Sequence, residues 1–205
     1  WQSSAHRNLF MSVNLSSKQV TQPDLVDQIR TILGETNIEA KCLKLEITES
    51  AVMDNADMAA RLLKRLKALG VQLSIDDFGT GYSSLGYLHR FPLNTLKIDR
   101  SFVGRIGEAA ENMEIVRAIV SLAENMGMDV VAEGVETLSQ LAQLRKLNCQ
   151  YGQGYLFSRP VDAESVNAML AKGPHWQADL FPSLNEHVQG KPAGGQLIHL
   201  VGASA

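Results

Sequence analysis

The sequence predicts an α/β fold in which parallel strands alternate with helices. Short apolar or β-branched runs alternate with longer segments of helical periodicity, and this order along a chain is typical of parallel sheets built from βα units. Nearly every predicted strand also ends in a polar side chain, as strands do at the catalytic face of an α/β barrel. The predicted strands cover residues 9–15, 42–47, 71–76, 95–99, 129–133 and 149–154, and the predicted helices cover residues 24–33, 55–69, 82–90, 111–126, 137–147 and 162–171.

The helix predicted over 55–69 has identifiable start and stop signals. Asp54 can accept from the first free backbone N–H groups, and Gly70 can adopt the left-handed conformation that follows a last helical turn. Leu62 and Leu66 fall on one apolar stripe, as in a helix that packs on a sheet. The rhythm of strands and helices then stops near residue 172, and the Gly-, Pro- and Ala-rich segment 173–205 is predicted to be a tail or linker. The expected domain is therefore 1–172.

Composition favours an ordinary soluble domain. The chain has 205 residues, 45% hydrophobic and 20% charged, with a net charge of -3. This balance argues against binding to a nucleic-acid duplex, which depends on a basic surface. Cys42 and Cys149 match no CxxC pattern and are expected to be reduced core thiols. The start of the sequence lacks the layout of a signal peptide, so a cytoplasmic domain is expected, compatible with a membrane-anchored parent protein.

Polar residues at the ends of the predicted strands form the main functional clue. Each has a structural alternative when taken alone: a turn residue, a helix cap, a surface charge or a structural ion pair. Polar groups at the same end of six successive strands point instead to one shared site. These residues are Asn14, Glu46, the pair Asp76 and Asp77, Lys97, Glu133 and Gln153.

This set is rich in oxygen and contains no cysteine or histidine, which favours Mg2+ or Mn2+ over zinc. The adjacent Asp76 and Asp77 can serve two ions at the ~3.5–4 Å spacing used in phosphoryl displacement. Lys97 can balance the acids and hold developing charge on a phosphate. The following segment, with Gly79, Thr80 and Gly81, lets backbone approach a phosphate. A metal-dependent phosphodiesterase is the predicted class.

Six blocks of sequence, in order and spacing, resemble the signature blocks of EAL domains. The blocks are NLS (14–16), EITES (46–50), DDFGTGYSSL (76–85), LKIDRSF (96–102), EGVET (133–137) and QGYLFSRP (153–160). The resemblance covers residues 8–171. It implies a modified (β/α)8 TIM-like barrel that hydrolyses cyclic di-GMP to linear pGpG with two Mg2+ or Mn2+ ions.

The resemblance also implies residue roles. Asn14, Glu46 and Asp76 correspond to metal ligands, Asp77 to a ligand of the second ion, and Lys97 to the lysine that holds the attacking water. Glu133 corresponds to an acid that acts as metal ligand or general base. The supporting residues implied by the same blocks are Glu49, which braces the DDFGTG loop, Gln153 and Glu136.

The Glu-Ala-Leu motif that names the family is not in this sequence, and six βα units fall short of the eight in a closed barrel. The first strands are therefore expected to be missing. Two readings follow: a phosphodiesterase, or an EAL-like receptor that binds cyclic di-GMP without cutting it. The resemblance further implies a homodimer and upstream GGDEF or sensory domains in the parent protein.

Overall fold

The computed structural model describes residues 9–81 and 85–172, and their six strands form one sheet. The strands lie side by side in chain order, and every neighbouring pair is parallel. The predicted α/β class is therefore confirmed. The strands are β1 (Met11–Leu15), β2 (Leu43–Thr48), β3 (Gln72–Phe78), β4 (Thr95–Ile98), β5 (Asp129–Glu133) and β6 (Tyr151–Gln153).

Helices fill the connections between the strands. The six predicted helices are all present, although only Leu85–Leu88 of the segment 82–90 is helical among the described residues. Three further helices of about one turn each come soon after strands and were not predicted: Ser17–Val20, Glu49–Met53 and Arg100–Val103. The helices are α1 (Ser17–Val20), α2 (Leu25–Thr36), α3 (Glu49–Met53), α4 (Ala56–Ala68), α5 (Leu85–Leu88), α6 (Arg100–Val103), α7 (Ala110–Asn125), α8 (Leu138–Lys146) and α9 (Ala163–Lys172), with a 3-10 turn at Ala40–Cys42.

One predicted helix cap is wrong. The side chain of Asn55, not Asp54, accepts from the backbone N–H of Met58 and caps α4. Two capping side chains stand side by side in the sequence, and the chain enters the helix one residue later than predicted. At the other end of the helix Gly70 has a φ of +91°, as expected.

The two faces of the sheet differ in chemistry. In β2, Leu43, Leu45 and Ile47 point to one face and belong to the apolar core shared with the helices. Lys44 and Glu46 point to the opposite face, since successive strand residues alternate. Both are nonetheless buried, with 7% and 5% of their surface exposed. The sheet therefore has one face that packs on helices and an inner face that carries buried polar groups.

The parallel strands and their helices form the curled partial barrel that six of eight βα units would make. Among the described helices, none combines the length and the apolar character required to cross a bilayer. The predicted tail 173–205 lies outside the described residues.

Candidate active site at the carboxyl ends of the strands

Lys97 is the centre of the site and is paired with acids from three other strands, β2, β3 and β5. Its Nζ lies 2.6 Å from Glu46 Oε2, 2.7 Å from Glu133 Oε1 and 3.1 Å from Asp76 Oδ1. Its side chain is only 3% exposed. The structure thus brings together four of the predicted residues, and it excludes the alternative that Lys97 is a surface charge.

The electrostatics of this group follow from its burial. Burial alone lowers the pKa of Lys97, but attraction from Glu133, Glu46 and Asp76 outweighs it and raises the pKa above its ordinary value. Burial raises the pKa of Glu133 to about 7, with Lys97 opposing the change and Asp76 adding to it. Glu133 is therefore the acid of this group that can exchange a proton near neutral pH.

Asp76 and Asp77 both reach the site although they are consecutive residues of β3. Regular alternation would point them to opposite faces, but the register between β3 and β4 shifts between Ile75 and Phe78. Asp77 adopts a left-handed φ of +53° there, and its N–H donates to Asp76 Oδ1 at 3.0 Å. Burial, and then the neighbouring Asp76, raise the pKa of Asp77.

Asp99 is a member of the site that the sequence analysis did not select. Its negative charge adds to burial and to Asp76 in raising the pKa of Asp77. It also caps α6, since Asp99 Oδ1 accepts from Ser101 N at 2.9 Å. The signal available in the sequence was its position two residues after Lys97, on the same side of β4.

The loop after β3 is held by Glu49. Its side chain is almost fully buried, and Oε2 accepts from Gly79 N at 2.9 Å. Gly79 has a φ of +96°, and a Cβ placed on Gly81 would lie 3.4 Å from the Glu49 carboxyl. Thr80 Oγ1 donates to Asp77 O at 2.8 Å. The predicted loop residues Gly79, Thr80 and Gly81 are therefore placed between the bracing glutamate and the aspartate pair.

Three predicted residues lie at the edges of this group. Asn14 is in register with Glu46 on the neighbouring strand and is exposed. Gln153 is in register with Glu133 and is half-buried. Glu136 is exposed, and its described hydrogen bond is made by its backbone N–H to Gln140. The structure places Asn14 and Gln153 beside site residues, whereas it gives Glu136 no contact with the carboxylates among the described interactions.

The donor set fits divalent metal ions. Asp76, Asp77 and Glu133 each offer a carboxylate oxygen, and these three oxygens lie within 4.8 Å of one another. Oxygen ligands of this kind suit Mg2+ and Mn2+. The three acids are partly buried, and this favours binding a cation over leaving like charges together.

Sequence comparison connects this site to proteins that act on cyclic di-GMP. The model of the family described as EAL domain matches residues 1–160. "Cyclic di-GMP phosphodiesterase NbdA" of Pseudomonas aeruginosa is 46% identical over 181 residues, which cover 88% of this chain and 23% of that protein. "Bifunctional diguanylate cyclase/cyclic di-GMP phosphodiesterase MucR" of the same organism is 44% identical over 171 residues, 83% of this chain and 25% of that protein. The chain thus spans about a quarter of the length of these relatives.

Solved structures agree with the sequence comparison. The structure titled "PaMucR Phosphodiesterase, c-di-GMP complex" has a TM-score of 0.79 and 44% identity, and the match covers 81% of this chain and 67% of that one. The EAL domain of Mycobacterium smegmatis DcpA has a TM-score of 0.78 and 40% identity, with 82% and 75% covered. The partial barrel, the acid cluster and these matches together show that the chain belongs to the EAL domain family.

Proposed function

We propose that this chain hydrolyses cyclic di-GMP to linear pGpG with two Mg2+ or Mn2+ ions. The observation that carries the proposal is the group that Lys97 forms with Glu46, Asp76 and Glu133. Asp77 belongs to the same group, because one of its carboxylate oxygens lies within 4.8 Å of carboxylate oxygens of Asp76 and Glu133. Buried acids of this kind, at the carboxyl ends of barrel strands, are suited to a metal-dependent hydrolase. The choice of cyclic di-GMP as substrate is supported by similar proteins described as a cyclic di-GMP complex and as a cyclic di-GMP phosphodiesterase.

The acids of the group would hold the ions. Asp76, Asp77, Glu46 and Glu133 would hold them together with Asn14, and Asp99 would add its negative charge beside Asp77. When bound, the ions supply a lowered pKa for the attacking water and positive charge for the phosphate oxygens.

The chain's own residues then have distinct tasks. Lys97 would orient the water and donate to a phosphate oxygen as negative charge develops there. Glu133 would accept the proton as the water oxygen bonds to phosphorus. The bond from phosphorus to the 3′ oxygen breaks in line with this attack, and solvent returns a proton to that oxygen. The product is a linear dinucleotide with a 5′-phosphate.

Glu49 and the loop 79–81 would keep the second half of the metal site in place. Because Glu49 binds the backbone of Gly79, it fixes the turn that follows Asp77. Gln153 and Glu136 are proposed to act on the substrate side of the site.

The decisive experiment compares Asp76→Asn with a control in the full-length protein. Hydrolysis of cyclic di-GMP is followed by chromatography of pGpG, with Mg2+ and with Mn2+. Asp76→Asn is expected to lose turnover by at least a hundredfold while its thermal unfolding stays close to wild type. Asp27→Asn, a change in the exposed pair between Asp27 and Arg30 of α2, should leave turnover unchanged.

The outcome also separates the enzyme from a receptor. Wild-type turnover in Asp76→Asn would show that the metals are wrongly placed. If the wild-type protein binds cyclic di-GMP but never cuts it, the chain is a receptor and the catalytic assignments fail. Because the proposed substrate is an intracellular messenger, the proposed compartment is the cytoplasm, and a homodimer is the proposed assembly.

A further inference from the structure

Arg100 is an exposed cation beside the site that the proposed mechanism does not use. It is the first residue of α6 and follows Asp99 directly at the end of β4, the strand that carries Lys97. Whereas Lys97 is buried by three carboxylates, Arg100 is open to solvent. Arg100 therefore lies at the rim of the site, outside the layer of buried acids.

Gly134 has no side chain, so the stem of Arg100 can pack against the backbone that follows Glu133. A Cβ added to Gly134 would lie 2.6 Å from Arg100 Cβ, which is closer than real Cβ contacts, and 3.3 Å from Arg100 Cα. Gly134 also has a φ of +68°, which glycine adopts without strain. The close approach places Arg100 over the segment that immediately follows Glu133, between two strands of the site.

The charge of Arg100 is not taken up by an ion pair within the described residues. Two other exposed arginines have acid partners, since Arg90 lies 2.7 Å from Asp57 and Arg117 lies 3.3 Å from Glu114. The described salt bridges include none from Arg100. Its guanidinium is thus available to a ligand. Its positive charge also helps to lower the pKa of the neighbouring Asp99.

The charge balance of the site calls for such a group. Glu46, Asp76, Asp77, Asp99 and Glu133 face one buried ammonium, so two divalent ions would be largely neutralised by the protein's own acids. A cyclic dinucleotide brings two phosphodiesters, and the ions and Lys97 can serve only the one being cut. The other phosphate carries a full negative charge, and a guanidinium matches its two free oxygens with parallel donors.

We propose that Arg100 binds the second phosphodiester of the cyclic dinucleotide, the one that is not being hydrolysed, and so selects substrates with two phosphates. The inference rests on the proposed function, because it takes its substrate from there. Arg100 is a substrate-binding residue in this scheme and takes no part in the bond that breaks.

The test compares Arg100→Gln with Arg100→Lys and a matched control, Arg117→Gln on α7, in the full-length protein loaded with Mn2+. Two substrates are used: cyclic di-GMP and bis(p-nitrophenyl) phosphate, which has one phosphodiester. Glutamine keeps the Cβ and Cγ that lie near Gly134 and removes the charge. For cyclic di-GMP, Arg100→Gln should lower kcat/KM about tenfold to a hundredfold, mainly through KM, as expected for a lost hydrogen bond to a charged group.

The critical measurement is the ratio of kcat/KM for the two substrates. The preference for cyclic di-GMP over bis(p-nitrophenyl) phosphate should fall at least tenfold in Arg100→Gln, recover in part in Arg100→Lys, and stay at the wild-type value in Arg117→Gln. An equal loss on both substrates, or no loss on either, would overturn the inference.

Failure of the proposed function would be visible separately, as a wild-type protein that does not cut cyclic di-GMP. Calorimetric binding of cyclic di-GMP then decides the role of Arg100. A tenfold or larger loss of affinity in Arg100→Gln supports the role, whereas equal affinities, or a wild type that does not bind, overturn it.

Discussion

Replacing Lys97 with methionine removes the cation that three buried carboxylates share. Methionine retains most of the apolar stem, so the main change is the loss of the ammonium that lies 2.6 to 3.1 Å from Glu46, Glu133 and Asp76. Removing one partner of a buried ion pair destabilises a protein by about 3–5 kcal/mol, because the remaining charge is left without compensation. For a chain of this length the melting temperature should fall by about 6 to 20 °C.

The experiment is thermal unfolding at pH 7 in EDTA, with Lys64→Met as control. Lys64 is an exposed residue of α4, and its change should shift the melting temperature by only a few degrees. Added Mn2+ should narrow the gap between Lys97→Met and wild type, because a bound cation supplies the missing charge. Lowering the pH to 5 should narrow the gap too, since Glu133, whose pKa is raised to about 7, then carries a proton and leaves less negative charge uncompensated.

Lys97 itself stays charged at both pH values, because its pKa is raised. Its stabilising contribution is fully present below the ordinary lysine pKa of 10.5 and is lost only as the pH rises through the higher value in the folded protein. The whole contribution is therefore available at pH 7. A Lys97→Met protein as stable as wild type in EDTA, or one that Mn2+ does not rescue, would refute the account of Lys97 as the charge balance of the site.

Two further substitutions test neighbouring acids. The folded-state pKa of Glu133 is raised from 4.5 to about 7, so its contribution to stability is present below pH 4.5 and is lost as the pH rises through 7. In EDTA, the free energy of unfolding of Glu133→Gln should therefore exceed that of wild type by up to about 3 kcal/mol at pH 8, with little difference at pH 4.5. A difference that stays constant across this range would contradict the assignment. Glu49→Gln keeps an acceptor for the Gly79 N–H but removes its charge, so the free energy of unfolding should fall by about 1 kcal/mol. Turnover of cyclic di-GMP should fall at least tenfold. Denaturant titration and pGpG formation measure the two effects, and full activity would show that the loop does not need the charged brace.

The sequence predicted the strands better than it predicted the short helices and the start of α4. Apolar runs bounded by turn signals located all six strands, because a buried strand must be apolar on the face that packs on the helices. The single-turn helices α1, α3 and α6 were not predicted, because one turn is too short to display the helical period. The cap of α4 was assigned to Asp54 instead of Asn55, since either side chain can accept from the first turn and only the path of the chain decides between them.

The site was predicted in its composition and only partly in its geometry. Lys97, Glu46, Asp76 and Glu133 were expected together because parallel strands bring their carboxyl ends to one edge. The conformation of Asp77 could not be predicted, since it depends on a register shift against β4 that leaves no mark in the sequence of β3. Asp99 was not selected because the sequence analysis had already chosen Lys97 as the polar residue at the end of β4.

The position of Lys97 at the meeting point of four strands has a consequence for folding. Its partners are distant in the sequence, with Glu46 fifty-one positions away. These contacts cannot form from local structure, and such long-range pairing is slow compared with helix formation. The ligand group should therefore be assembled only after β2 to β5 have paired. Recovery of high-affinity Mn2+ binding, followed by electron paramagnetic resonance during refolding, would then report the late closure of the sheet rather than its early helices.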